Sequence, residues 1–188
     1  MRACRNPDCS IRVAGQMFHC HRLVVQLASG HIRSLMRDAP DRETPIDLDL
    51  PEVSARSFEY VIRFAYRGTV ELDANVVGDV MAAADALAVP QLRAECVSFM
   101  TRTLDPENCL RYWSYLESYD LAVDAEQMLY RRCRDVARST FCRAIHSPRP
   151  MTGATDAIIE TLLKDDGLLV IISYTHTYPV LRRTNQAV

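Results

Sequence analysis

Cys4, Cys9, His19 and His21 come nearest in this chain to a spacing that could do chemistry, because thiolates and imidazoles set close together can hold zinc. The set has no Cys-x-x-Cys knuckle. Residues 17 to 20 also alternate as a strand, which sends His19 and Cys20 to opposite faces, so no metal site is expected. Asp47 and Asp49 form a second candidate, since two carboxylates on one strand face could share acid/base work or a cation. They alternate with Ile46, Leu48 and Leu50, and the plainer reading is a strand with one wet face. The remaining histidines, His31, His146 and His176, stand alone. Gly-x-Ser-x-Gly, Gly-x-x-x-x-Gly-Lys, His-Glu-x-x-His and Gly-x-Gly-x-x-Gly are all absent. Neither catalysis nor a cofactor is expected.

Composition points the same way. The 188 residues are 48% hydrophobic and 24% charged, ordinary usage for a chain with a buried core. A net charge of −2 favours neither nucleic acid nor an anionic membrane surface. Lys164 is the one Lys among 22 basic residues, which reads as coding bias rather than function. No stretch approaches the ~20 apolar residues of a membrane span, and MRACRNPDCS lacks the apolar core of a signal peptide. A place in the cytoplasm or nucleus is expected. Seven cysteines, an odd count, argue against a disulfide framework, and Cys96, Cys109 and Cys133 fall at apolar helix positions, where a thiol acts as a small hydrophobe.

The elements that would position these residues are legible from periodicity. Ile11 and Val13 alternate with polar neighbours as a strand, Ala14-Gly15-Gln16 turns the chain, and Met17, Phe18 and Cys20 extend again. After His21-Arg22, the spacing of Leu23, Val24, Leu27 and Ala28 predicts a helix with those residues inward. Ser29 is the predicted cap of the next helix, which carries Ile32, Leu35 and Met36 inward. Pro45 to Leu50 make a third strand. Ser54 opens a helix with Phe58, Val61, Ile62 and Ala65 on one face, closed at Gly68. Thr69 to Leu72 read as a short extended piece. Val76, Val77, Val80, Met81, Ala84 and Leu87 share a helix face, and Pro90 opens a helix burying Leu92, Cys96, Phe99 and Met100. Asp105 and Pro106 start a helix with Cys109, Leu110, Trp113 and Leu116 inward. Leu121, Ala125, Met128, Leu129, Cys133 and Val136 define another, ending near Phe141. Ser147-Pro148-Arg149-Pro150 is a loop, and Ile158 to Val170 suit a further helix or pair.

Asp8, Ile11, Val13, Gly15, Phe18, His21-Arg22, Ser29 and Ile32, followed by Leu48 to Leu50, Phe58, Ile62, Phe64, Tyr66, Gly68, Asn75-Val76, Ala84, Leu87, Leu92, Cys96 and Phe99, resemble the BTB/POZ domain in order and spacing. Leu104-Asp105-Pro106-Glu107-Asn108-Cys109-Leu110 resembles the start of the BACK module that follows it in kelch-like proteins. The resemblance implies an α+β fold, a BTB domain over 8–101, then an all-helical BACK-like part over 104–170 and an atypical tail at 171–188. It also implies a protein-binding adaptor resembling the substrate adaptors of cullin-RING ubiquitin ligases. The cullin-type face would be made of Arg33, Met36, Arg37, Asp38, Ala39, Pro40 and Tyr66, with His21 structural and Tyr66 either in the core or on that face.

Three departures bear on function. Seven residues precede Asp8, too few for the long exchanged helix of BTB dimers, which implies weaker dimerisation and uncovered apolar surface around Ile11, Val13 and Val24. Asp38-Ala39-Pro40 stands where cullin adaptors carry a hydrophobic-x-Glu motif. IISYTHTYPVLRRTNQAV from Ile171 continues no helical pattern, and no kelch-type repeat follows, so this end reads as a truncated or alternatively spliced form. The expected partners are a cullin scaffold bound weakly, a second BTB domain of the same or another chain, and an unidentified protein substrate, with no nucleic acid and no membrane. A BTB scaffold for assembly or transcriptional control, binding no cullin, is the alternative.

Overall fold

A computed structural model of the chain describes residues 6–38, 44–118, 124–144 and Glu160. Cys4, Ala39, Pro40, Leu121, the expected loop at 147–150, the expected helix over 158–170 apart from Glu160, and the 171–188 tail lie outside the described residues.

Strands β1 (Cys9–Val13) and β2 (Gln16–Cys20) form an antiparallel hairpin, and β1 pairs in parallel with β3 (Ile46–Leu48), giving the order β2-β1-β3. Ala14 (φ 46°) and Gly15 (φ 80°) are both left-handed, the geometry of a two-residue primed turn whose twist suits the strands it joins. Alternation then buries Cys9, Ile11 and Val13 on β1 with Phe18 and Cys20 on β2.

Among the described residues, seven helices follow or interrupt these strands: α1 (Arg22–Ala28), α2 (Gly30–Asp38), α3 (Ala55–Arg67), α4 (Val77–Ala86), α5 (Pro90–Thr103), α6 (Cys109–Glu117) and α7 (Asp124–Ala144). Several of their ends are satisfied by side-chain or backbone caps. Ser29 Oγ accepts from Ile32 N–H (3.0 Å) and donates to the Leu87 carbonyl (2.5 Å), so a buried hydroxyl joins the start of α2 to the end of α4. Ser54 Oγ accepts from Ser57 N–H at 3.0 Å, and left-handed Gly68 (φ 71°) returns its N–H to Phe64 O at 2.8 Å. Pro90 occupies the first turn of α5, where no N–H is needed. The architecture is the α+β arrangement read from the sequence, a small sheet wrapped by helices with further helices after it.

Several expectations are corrected. In α1, Val25 is buried while Leu23 and Leu27 are 66% and 70% exposed. Five of the seven residues of this helix are apolar, so periodicity cannot choose a face. Hydrogen bonds at its ends orient it instead: Arg22 N–H to Asp8, the Arg22 guanidinium to the Met36 carbonyl, and Arg33 to the Gln26 and Leu27 carbonyls. Ile11 and Val13 are fully enclosed and Val24 is half-buried, so the exposed apolar residues of α1 are Leu23 and Leu27. Helix α6 begins at Cys109, three residues after Pro106, because Asp105 and Asn108 first close a turn: Asp105 Oδ1 accepts from Glu107 and Asn108 N–H, and Asn108 Oδ1 accepts from Asp105 N–H. Phe99 is half-buried, with Val97 taking a core position beside Leu92, Cys96 and Met100. In α7 the inward stripe is Glu126, Leu129, Cys133 and Ala137, leaving Ala125 and Met128 exposed.

Helices α6 and α7 share the core of the first part. A continuous cluster of buried residues runs from Cys9 through Met100 to Cys109, Trp113, Leu129 and Ala137. Gly78 of α4 faces the Tyr115 ring of α6 so closely that a Cβ there would overlap it.

Candidate functional site

Tyr66, in the last turn of α3, is 40% exposed. Its hydroxyl accepts from the His21 backbone N–H (2.7 Å) and lies 2.9 Å from His21 Nδ1. A neutral ring protonated at Nε2 lets the same hydroxyl donate to Nδ1, so the phenol both gives and receives. The two rings are 5.8 Å apart and tilted by 58°. His21 therefore holds Tyr66 while starting α1, a structural role as expected, and Tyr66 is presented at the surface rather than enclosed.

Arg22 extends this framework. Its backbone N–H donates to Asp8 Oδ1 (2.5 Å) and its guanidinium to the Met36 carbonyl (2.6 Å), where the end of α2 leaves carbonyls without helical partners. A chain of bonds thus runs from Tyr66 through His21-Arg22 to the C-terminal turn of α2, bringing these elements to one side of the molecule. The Asp8, His21-Arg22 and Tyr66 positions work as one brace.

The seven residues assigned to the face fare differently. Tyr66 and Arg37 are exposed. Arg33 is exposed but committed, its Nε donating to Gln26 O at 2.8 Å and so capping the end of α1. Met36 is 2% exposed and belongs to the core, one turn beyond buried Ile32 on the inward stripe of α2, so it supports the face from behind and cannot touch a partner. Asp38 ends α2, and Ala39 and Pro40 lie outside the described residues. Leu23 and Leu27, one helical turn apart on α1, are an exposed apolar pair that the sequence reading placed inside. The polarity of Gln26 gave no hint, because Gln26 is itself half-buried.

Of the candidate zinc residues, Cys4 lies outside the described residues, and among the described ones no group that could hold a metal forms. Cys9 is buried and donates its thiol toward Cys20 O, whereas His19 is exposed and bonds Ser10 Oγ at 2.9 Å. Asp47 pairs with Arg12 across the open face of the sheet at 2.8 Å, a solvated ion pair. A concavity lined by Arg63, Arg67, Thr69, Val70 and Glu71 holds about 170 Å³, below the ~300–1,000 Å³ of ordinary ligand pockets.

Comparison with known proteins adds a family. The BTB/POZ domain model matches residues 1–104. Kelch repeat and BTB domain-containing protein 8 of Xenopus tropicalis is 27% identical over 152 residues, 81% of this chain and 24% of that protein. Kelch-like protein 40 of Mus musculus is 34% identical over 134 residues, covering 70% and 21%. Kelch-like protein 21 of Danio rerio is 30% identical over 136 residues, covering 70% and 22%. The chain spans about a quarter of the length of the curated relatives it matches.

Proposed function

The chain belongs to the BTB/POZ domain family, and from that premise we propose that it is an interaction adaptor of the kelch-like kind, a bridge between a cullin scaffold and a protein substrate. Such a protein makes no bond itself; it raises the effective concentration of two partners by holding both. The observation that carries the reading is the braced, exposed Tyr66 beside the end of α2, a fixed aromatic of the sort that anchors protein interfaces. Arg33, Arg37, Asp38, Ala39 and Pro40 would surround it, with α6 and α7 as the start of a BACK-like stalk. Asp38-Ala39-Pro40 supplies neither the apolar anchor nor the acid of the hydrophobic-x-Glu motif. A missing anchor commonly costs ~2 kcal/mol or more, about thirtyfold in affinity, so detectable but weakened binding is expected.

Calorimetric titration with a purified cullin N-terminal region tests this. Asp38→Leu with Pro40→Glu should tighten binding, and Tyr66→Ala should weaken it. If neither change moves the affinity, the face is not the docking site. The missing motif also favours a second reading, a BTB scaffold that assembles proteins without a cullin. The Leu23/Leu27 pair suits a second BTB domain there, and light scattering of wild type against Leu23→Glu would register its loss.

A further inference from the structure

We propose that Cys9 and Cys20 are a redox site, two thiols that close reversibly into a disulfide across the β1–β2 hairpin. The two-residue turn at Ala14-Gly15 fixes the register so that Cys9 lies directly opposite Cys20. Directly opposed residues of an antiparallel pair have Cα atoms about 4.5 or 5.5 Å apart, and both spacings fall within the ~4.4–6.8 Å that a disulfide spans. Both side chains point to the buried face, and the Cys9 thiol already leans onto its neighbour, 3.5 Å from the Cys20 carbonyl oxygen. Cys9 begins its strand and keeps 8% exposure, which gives an oxidant an approach that fully enclosed Cys20 lacks.

Hydrogen peroxide is the class of oxidant that balances the step. The Cys9 sulfur takes one peroxide oxygen, giving a sulfenic acid and one water. The Cys20 sulfur then displaces the sulfenic hydroxyl, forming the S–S bond and releasing a second water. A dithiol such as dithiothreitol reverses it by exchange. The bridge would stand between two bonds of the Tyr66 brace, since Asp8 precedes Cys9 and His21 follows Cys20. Oxidation would thus lock the frame on which the exposed face is mounted.

Trypsin cuts after Arg12 and so separates the two cysteines into peptides 6–12 and 13–22. Folded protein treated with hydrogen peroxide, alkylated and digested should yield these two peptides joined, with two of the seven thiols lost to alkylation and regained after dithiothreitol. Cys9→Ser should abolish the loss. Full alkylation of the oxidised wild type would overturn the proposal, as would a joined pair involving Cys4 or linking Cys109 to Cys133. An irreversible loss of thiol would do the same.

Discussion

Cys96 and Cys133 show at the scale of a single residue what burial does to a thiol. Enclosure pushes both up from an ordinary 9.0 to about 12, with a smaller push from Glu95 on the first and from Cys109 on the second. The folded state therefore prefers the protonated thiol. Their contribution is fully present below pH 9, and stability falls as the unfolded chain ionises between about 9 and 12. Urea midpoints followed from pH 8 to 11 should drop for wild type and drop less for Cys96→Ala with Cys133→Ala. Gly78 offers a second test. An added Cβ meets the Tyr115 ring, an overpacking of about 1–3 kcal/mol, set against about 1 kcal/mol of helix propensity gained. Gly78→Ala should cost about 1 kcal/mol in wild type and turn stabilising in a Tyr115→Ala background, as measured by denaturant unfolding. The thiols were legible because they fall on apolar helical positions. The Gly78 notch was not, since its reason lies on another helix, and Met36, which its spacing from Ile32 puts on the inward stripe, was assigned to the face by resemblance alone.

Among the elements, α7 is held to α5 by charge as well as packing. Arg93 donates from Nε to Glu126 Oε1 (2.7 Å) and from a terminal nitrogen to Oε2 (3.1 Å), and it also pairs with Asp85 at the end of α4. Burial works to lower the pKa of the guanidinium, but Glu126 and Asp85 more than offset it, and Arg93 stays above its ordinary value. The Glu126 side chain is 3% exposed, so removing its partner strands a buried carboxylate. Arg93→Ala should destabilise by about 3 kcal/mol, and Arg93→Met with Glu126→Leu should recover most of it. Equal urea midpoints for Arg93→Ala and wild type would show that the bridge contributes nothing. This bridge explains the misread face of α7, because apolar periodicity ignores a glutamate and slid toward Ala125 and Met128. Capped helices such as α3 were read correctly, their signals being local: Ser54 at one end and Gly68 at the other. Helix α1 failed for the opposite reason, being apolar nearly all round and oriented by distant bonds.

For the whole molecule, the decisive feature is that α6 and α7 complete the core begun by the BTB elements. The order of elements and the α+β class were open to sequence reading. Their fusion was not, because periodicity reports which face is buried and never against what. Trp113, the sole Trp of the sequence, lies fully buried in α6 with its ring edge-on to Tyr130 at 6.1 Å. It reports on the junction, whereas far-ultraviolet dichroism reports on all helices. The two signals should follow one urea curve, and separate transitions would mean the parts fold independently. The shared core also sets a clock on synthesis. The family match stops at residue 104, but the α4 and α5 surfaces that receive Tyr115 and Glu126 stay bare until α7 has been made. A ribosome adding about 5–20 residues per second takes about 2–7 s to go from Leu104 to Ala137. For those seconds the nascent domain carries an unfinished apolar flank, the kind of transiently exposed surface that makes incomplete folds prone to aggregate.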